Sequence, residues 1–425
     1  MSRKALDFIE RHGMSPARID PAEYAEKMRQ DMERGLCGEP SSMPMIPTYI
    51  KDGGEIEKNV PVVVIDAGGT NFRSGVVTFT DSGCTLENVT KHKMPGTDKP
   101  ASWDEFIAFT ADKIQPLLER AELIGFCFSY NADITPDIDG RVKRIDKEVV
   151  VTNSAGKLVG KSLTEELERR GITGKRVFVL NDTVAALLGA SSGMDKSAYS
   201  GFIGQISGTG TNTCCALPYS RIKKLGRDEE ESILVNLESG MYDGLPCGDF
   251  DLILEKESII PGEKYMEKLT AGVYLGELGK LMLGTAADEG LLSAGSAAKV
   301  RALGKIDASY IDAWASGEKL ELVSDNAEDA DFAKTVSLAL FERSARCMCA
   351  NLAAIMLLTG AGDSADKPVC VCAEGSLVDR SRYYRPMLEG FLREYAEEKL
   401  GKHAVLRVGR ETTLPGSAAA ALLNK

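Results

Sequence analysis

Two glycine turns hold the residues of this sequence best suited to phosphate chemistry. The first is Asp66-Ala67-Gly68-Gly69-Thr70-Asn71, followed by Arg73, at the end of the apolar run VPVVVID. Paired glycines let the backbone approach a phosphate, a carboxylate such as Asp66 can hold magnesium through water, and Thr and Arg supply donors. The second is Ser207-Gly208-Thr209-Gly210-Thr211-Asn212, rich in hydroxyls and without a bulky side chain, which suits the opposite jaw of a phosphate clamp. Each string alone also fits an ordinary hairpin turn; their matching contexts favour the phosphate reading. Neither is a P-loop, because the chain contains no GxxxxGK[ST] string.

A carboxylate follows the strand-like VFVL, where Asn181-Asp182-Thr183 leads into the helical pattern VAALLGA. The carboxyl end of a strand is where open α/β sheets present ligands. Asp is equally a favoured helix N-cap, a role worth roughly 1 kcal/mol, and position alone makes the cap the simpler expectation for Asp182. Glu238 (in VNLESG), Glu267 (in YMEKL), Lys147 and Ser129 are types that hold a neutral polyol, whose hydroxyls both donate and accept. Without further context, a solvated helix face is the favoured expectation for Glu267 and a surface charge for Lys147. The 10 cysteines include Cys347/Cys349, Cys370/Cys372 and the adjacent Cys214/Cys215, but no CxxC, and the histidines are His12, His92 and His403. A zinc site is not expected; the thiols read as small apolar groups of a reduced protein.

These residues need elements to position them. Residues 21–36 read as an amphipathic helix entered by Asp20-Pro21 and ended by Gly35 and Gly38, and the Pro-, Gly- and Ser-rich stretch after it reads as a long connector. From Val60, VPVVVID, FRSGVVTF and the run Thr85 to His92 predict an antiparallel meander. A helical pattern over 103–120, a strand over 123–128, a helix over 160–170 and a strand over 177–180 complete an α/β layer. At Gly201 a comparable programme restarts with GFIGQIS, a glycine turn, NTCCAL and ILVNLES. Gly-Thr-Asn closes both turns, at 69–71 and 210–212, which points to duplicated half-molecules with the main boundary between Met194 and Gly201. The second half is helix-rich over 261–358, then returns to a strand at 369–373 and a helix at 381–399.

The 425 residues carry 51 Lys+Arg against 63 Asp+Glu, a formal net charge of −12. That balance disfavours nucleic-acid backbones and anionic membranes as principal partners. Length predicts two or three domains at roughly 150 residues each. No apolar run approaches the roughly 18 residues of a membrane span. MSRKALDFIERHG lacks the apolar centre of a secretory signal, so a soluble, cytoplasmic protein is expected.

Taken together, the strings resemble the hexokinase family. VVVIDAGGTNFRSGVV resembles its first phosphate motif, and FCFS followed by RVKRIDKEV its sugar-binding segment. VLNDTVAALLGA resembles the segment carrying its catalytic Asp, and GQISGTGTNTC its second phosphate motif. ILVNLESG and IIPGEKYMEKLTAGVYLGEL resemble the large-domain sugar contacts, VCVCAEGSL the adenosine loop, and MPMIPTYI the family's KMLPTY lead-in. All stand in family order, and the resemblance covers nearly the whole chain.

The resemblance implies an α/β fold of two actin-like (ribonuclease-H-like) domains around a central cleft. Residues 1–59 would be N-terminal helices and a connector packing on the large domain, 60–200 with 413–425 the small domain, and 201–412 the large domain. It implies transfer of the ATP γ-phosphoryl group, with Mg2+, to the 6-hydroxyl of glucose, or of fructose, mannose or related hexoses, feeding glycolysis. Asp182 would be the base that takes the hydroxyl proton. Ser129, Asp146, Lys147, Asn181, Asp182, Asn212, Glu238 and Glu267 would contact the sugar. Asp66 would be a water-mediated magnesium partner. Gly68, Gly69, Thr70, Asn71, Arg73, Gly208, Thr209 and Gly210 would line the phosphates, and Gly375 and Ser376 the adenosine.

The chain departs from the family pattern at several places. Asp146-Lys147 stands where Thr-Lys is usual, Ser129-Tyr130-Asn131 where Ser-Phe-Pro is, Lys264 for Gln, and Glu374 for Asp. The C-terminal Leu414-Pro415-Gly416-Ser417-Ala418-Ala419 lacks the family's lysine. These changes spare the phosphate motifs and bear on the identity of the sugar. A sugar-binding regulator with weak turnover and an actin-like assembly protein are the alternatives. Neither needs Asp182, Lys147, Asn212, Glu238 and Glu267 together.

Overall fold

A computed structural model describes residues 1–145 and 149–425; Asp146 and Lys147 lie outside the described residues. The run Val62 to Ile65 is buried throughout, the mark of a central strand covered on both faces. Strand Pro61–Gly68 pairs antiparallel with Asn71–Thr80, which pairs with the edge strand Gly83–Lys93. On its other side it runs parallel to Leu123–Phe128, itself parallel to Arg176–Leu180. The second sheet repeats this plan. Gly201–Ser207 pairs antiparallel with Thr211–Pro218, which pairs with Ser232–Asn236, and on its other side Gly201–Ser207 runs parallel to Val369–Glu374, followed by Ala404–Val408. Each half therefore places one hairpin beside parallel strands, the duplication read from the two Gly-Thr-Asn turns.

The connector differs from its reading as irregular chain. Ile46–Lys51 adds a sixth strand to the second sheet, with Ile46 opposite Asn236, before a bulge between Pro47 and Lys51. Thr48, fully buried, donates its hydroxyl to the Leu234 carbonyl at 2.7 Å. Helix Pro21–Cys37, capped by Asp20 and ended by Gly38 in the left-handed region, packs on the 33-residue helix Ala327–Thr359. The helix expected over 381–399 is Tyr384–Phe391 followed by a wider π turn, Leu392–Glu397.

Between the sheets run helices Asp182–Ser191 and Thr413–Leu423, whose apolar residues share one core with Val62, Val64, Cys214, Leu234 and Cys372. Their close crossing depends on small residues. A Cβ on Gly416 would stand 1.7 Å from the Ala185 carbonyl oxygen, and one on Gly189 2.0 Å from that of Thr412. Real Cβ contacts do not reach such distances, so these positions let the backbones meet. Among the described residues no helix is long and apolar enough to cross a membrane.

Candidate active site

Three parallel strands bring the first set of groups to one edge. Asp66, Cys127 and Leu180 are register neighbours across Pro61–Gly68, Leu123–Phe128 and Arg176–Leu180. Ser129 lies two residues beyond Cys127, and Asn181-Asp182 directly follow Leu180. Carboxylates, hydroxyl and amide thus gather at the carboxyl ends of the strands, where such sheets bind ligands. Asn181, not Asp182, is the N-cap of helix Asp182–Ser191: its side chain accepts from the Thr183 N–H at 2.8 Å. The cap expected at Asp182 is therefore filled by its neighbour, and the half-buried Asp182 carboxylate sits in the first turn, where the helix dipole favours negative charge.

Asp66 is held by Arg73, whose Nε and Nη2 donate to Oδ2 at 3.0 and 2.5 Å; Nη2 also donates to the Thr413 hydroxyl. Gly68 and Asn71 close the hairpin opposite each other, Gly69 has φ +55°, and the Tyr130 hydroxyl donates to the Gly69 carbonyl at 2.8 Å. A Cβ on Gly68 would stand 3.0 Å from the Ser129 hydroxyl, so turn and strand end are in contact. Beneath them the Cys127 thiol is pushed well above its ordinary pKa, by burial first and then by the Asp66 and Asp182 carboxylates. It is a neutral floor to the site rather than a nucleophile. Thr70 is half-buried, and Asn71 is exposed on the turn.

The second turn is built by the other sheet. Ser207 and Thr211 close it, the Gly208 N–H donates to the Gly210 carbonyl at 3.0 Å, and the Gly272 N–H at the start of helix Gly272–Asp288 donates to the Gly208 carbonyl. Thr209 is exposed at its tip. Gly375 and Ser376 follow the parallel strand Val369–Glu374 and lie against this turn. A Cβ on Gly375, which has φ +127°, would stand 2.3 Å from the Ser207 carbonyl oxygen. The predicted phosphate and adenosine residues are thereby adjacent.

A polar relay joins that turn to Glu238. Asn212 Nδ2 donates to Asn236 Oδ1 at 2.8 Å, and Asn236 Nδ2 donates to Glu238 Oε1 at 2.8 Å. Asn212 Oδ1 accepts from the N–H groups of Thr213 and Ser239, which fixes its amide orientation. Glu238 has φ +54°, an uncommon conformation for a non-glycine residue and one that marks constrained positions. Glu267 is not a solvated face: it is 7% exposed, its Oε2 accepts from the Thr211 N–H at 3.0 Å, and Lys264 Nζ donates to its Oε1 at 3.3 Å. Asn236, only 4% exposed, belongs to this set although no motif singles it out. The signal was available: with Glu238 two residues further on, VNLE ends a strand with two polar side chains in alternate positions.

Among the described residues, no cluster of three or more His, Cys, Asp and Glu side chains is placed to hold a metal ion. Asp66 nonetheless fits magnesium, which takes one or two carboxylates, substrate phosphates and water rather than an all-protein cage. Arg73, donating to Oδ2, fixes the orientation of the Asp66 carboxylate.

Family models described as hexokinase match residues 7–192 and 202–423. Hexokinase-1 of Oryza sativa subsp. japonica is 28% identical over 93% of this chain and 86% of that protein. Hexokinase-1 of Saccharomyces cerevisiae is 29% identical over 62% of this chain and 57% of that protein, so the matched part spans little more than half that relative's length. The hexokinase of Schistosoma mansoni complexed with glucose superposes with a TM-score of 0.81 over 99% of both chains at 21% identity. A ROK family glucokinase from Streptomyces griseus, in complex with glucose and AMPPNP, gives 0.51 at 17% identity over 85% of this chain and 98% of that one. Both likenesses are of fold.

Proposed function

We propose that this chain, which belongs to the hexokinase family, transfers the γ-phosphoryl group of ATP to the 6-hydroxyl of a hexose, glucose foremost. One observation carries the reading: two glycine turns, from matching hairpins of duplicated sheets, stand with a carboxylate at a strand end and a relayed set of amides and acids. Such a set suits a neutral polyol beside a polyphosphate. Glucose in the complexed relative points to the same substrate class.

Phosphoryl transfer asks mainly for positioning and charge neutralisation. The turns at 68–71 and 208–211 supply backbone and hydroxyl donors, and Arg73, ion-paired with Asp66, sets the direction of that carboxylate beside the first. Glu238, Glu267, Asn181, Asn212 and Ser129 take the sugar hydroxyls as acceptors and donors. An aspartate, with a reference pKa near 3.9, is too weak a base to deprotonate an alcohol in the ground state. Asp182 therefore orients the 6-hydroxyl and accepts its proton late, as the new P–O bond acidifies it. Magnesium, when bound with ATP beside Asp66, supplies charge neutralisation on the phosphates. The 10 cysteines, none in a disulfide, fit a reducing cytoplasmic setting.

The test is a coupled assay with magnesium-ATP and a panel of hexoses. ADP release that depends on hexose supports the reading; a rate equal to the sugar-free background for every hexose overturns it.

A further inference from the structure

Arg144 and Glu263 come from different halves of the molecule and meet beside the sugar-type residues. Arg144 ends strand Gly140–Arg144, opposite Asn131 in a hairpin that begins two residues beyond Ser129. Glu263 precedes Lys264 and the short helix Tyr265–Thr270 that carries Glu267. The contact is two-pronged: Arg144 Nη1 donates to Glu263 Oε1 at 3.0 Å, and Nη2 to Oε2 at 2.6 Å. Parallel guanidinium–carboxylate bonds fix direction as well as distance, which a single lysine contact does not.

The pair does not stand alone. On the Glu263 side, Lys264 has φ +56° and donates to Glu267 Oε1, while Glu267 Oε2 accepts from the Thr211 N–H of the second turn. Connected contacts thus run from the first half's hairpin, through Glu263 and the backbone, to Glu267 and the phosphate turn. A polyol held between Ser129 on one half and Glu267 on the other is bound only when the halves stand at the right spacing. A contact that exists only at that spacing raises the fraction of molecules ready to bind, and apparent affinity scales with that fraction.

We propose that Arg144 and Glu263 are a positioning pair that holds the two halves in register for hexose binding without touching substrate. The inference rests on the function proposed above and adds a determinant of affinity to it. Both side chains are about one-third exposed, 37% and 33%, so salt weakens the contact. Exposed ion pairs correspond to about 1.4- to 5-fold in an equilibrium constant, and the two-pronged geometry places this one toward the upper end.

The experiment uses the full chain as wild type, Arg144→Gln, Glu263→Gln and the charge exchange Arg144→Glu/Glu263→Arg, each checked by thermal melting. Glucose binding is measured by calorimetry without nucleotide, at low and high salt, beside steady-state KM and kcat. Each Gln variant is expected to raise Kd and KM by about 3- to 5-fold at low salt, with kcat moving less than KM. High salt should bring wild type to the variants' level, and the charge exchange should recover most of the loss. Single variants that match wild-type affinity at both salts, or a folded charge exchange no better than either single variant, overturn the proposal. X-ray scattering of the sugar-free proteins separates this from failure of the proposed function. If glucose does not bind at all, a larger radius of gyration in both Gln variants still supports the pair, and identical profiles reject it.

Discussion

Replacing Asn236 with Leu removes both hydrogen bonds of the relay while keeping side-chain size. Asn212 Nδ2 then loses its acceptor in surroundings where Asn212 is 9% and Asn236 4% exposed. An unpaired buried donor costs about 1–3 kcal/mol. Glu238 loses the amide that holds its Oε1, a charge-assisted bond worth about 1.5–3 kcal/mol when sealed from water. Because Glu238 is half-buried and regains water, its share falls near the lower figure. The sum is about 3 kcal/mol. Roughly half of it disorders Asn212 and Glu238 as sugar ligands and half lowers global stability. At 1.4 kcal/mol per factor of ten, glucose affinity should fall about tenfold. Calorimetric titration of Asn236→Leu with glucose, beside a melting curve, reads both halves. A variant that melts lower yet binds glucose within about twofold of wild type would refute the argument that the relay organises sugar ligands.

Three further outcomes are expected. Asp182→Ala should lower turnover by at least about 10²-fold, the scale of a general base, while glucose Kd from calorimetry stays within about tenfold; surviving turnover would reduce Asp182 to a helix-start residue. Gly375→Ala forces a Cβ to within 2.3 Å of the Ser207 carbonyl oxygen and 2.9 Å of the Gly208 nitrogen at φ +127°. The KM for ATP should rise by about tenfold or more with glucose Kd little changed, and an unchanged ATP KM would count against the adenosine assignment. Burial pushes the Cys215 and Cys347 thiols up to about 12. The folded state therefore keeps protons that the unfolded chain releases above its thiol pKa near 8.5, so stability is full below that value and falls as pH rises toward 12. Denaturant melts between about pH 8 and 10.5 should show a loss on the order of 1 kcal/mol per pH unit per thiol, reduced in Cys215→Ala/Cys347→Ala; a flat profile in wild type would contradict it.

The glycine turns were legible because their chemistry is local. Gly68-Gly69 and Gly208 to Gly210 join strands whose apolar runs mark them as buried, and no partner distant in sequence is needed to predict a hairpin. The same locality misleads at Asp182, a favourable cap residue by type that stands one position too late, since Asn181 already fills that role. Strand Ile46–Lys51 was hidden because its pairing is with residues 233–236, far along the chain, and Pro47 and the bulge break the alternation that reveals strands. Glu267 looks solvated because a six-residue helix shows no full periodic face; the Thr211 N–H of the second turn, distant in sequence, and Lys264 satisfy its buried carboxylate. Arg144 and Glu263 each look like surface charge, and no sequence pattern joins residues 119 positions apart.

Transfer of a phosphoryl group to the 6-hydroxyl of a hexose is the reaction on which the roles of Asp182 and the two glycine turns rest. Phosphorus and carbon NMR of the product formed from 13C-labelled glucose and magnesium-ATP tests it most directly. Wild type should form one sugar ester, with phosphorus coupled to carbon 6, in step with ADP, and Asp182→Ala scarcely any. Free phosphate in place of an ester, or an ester at another carbon, would contradict it.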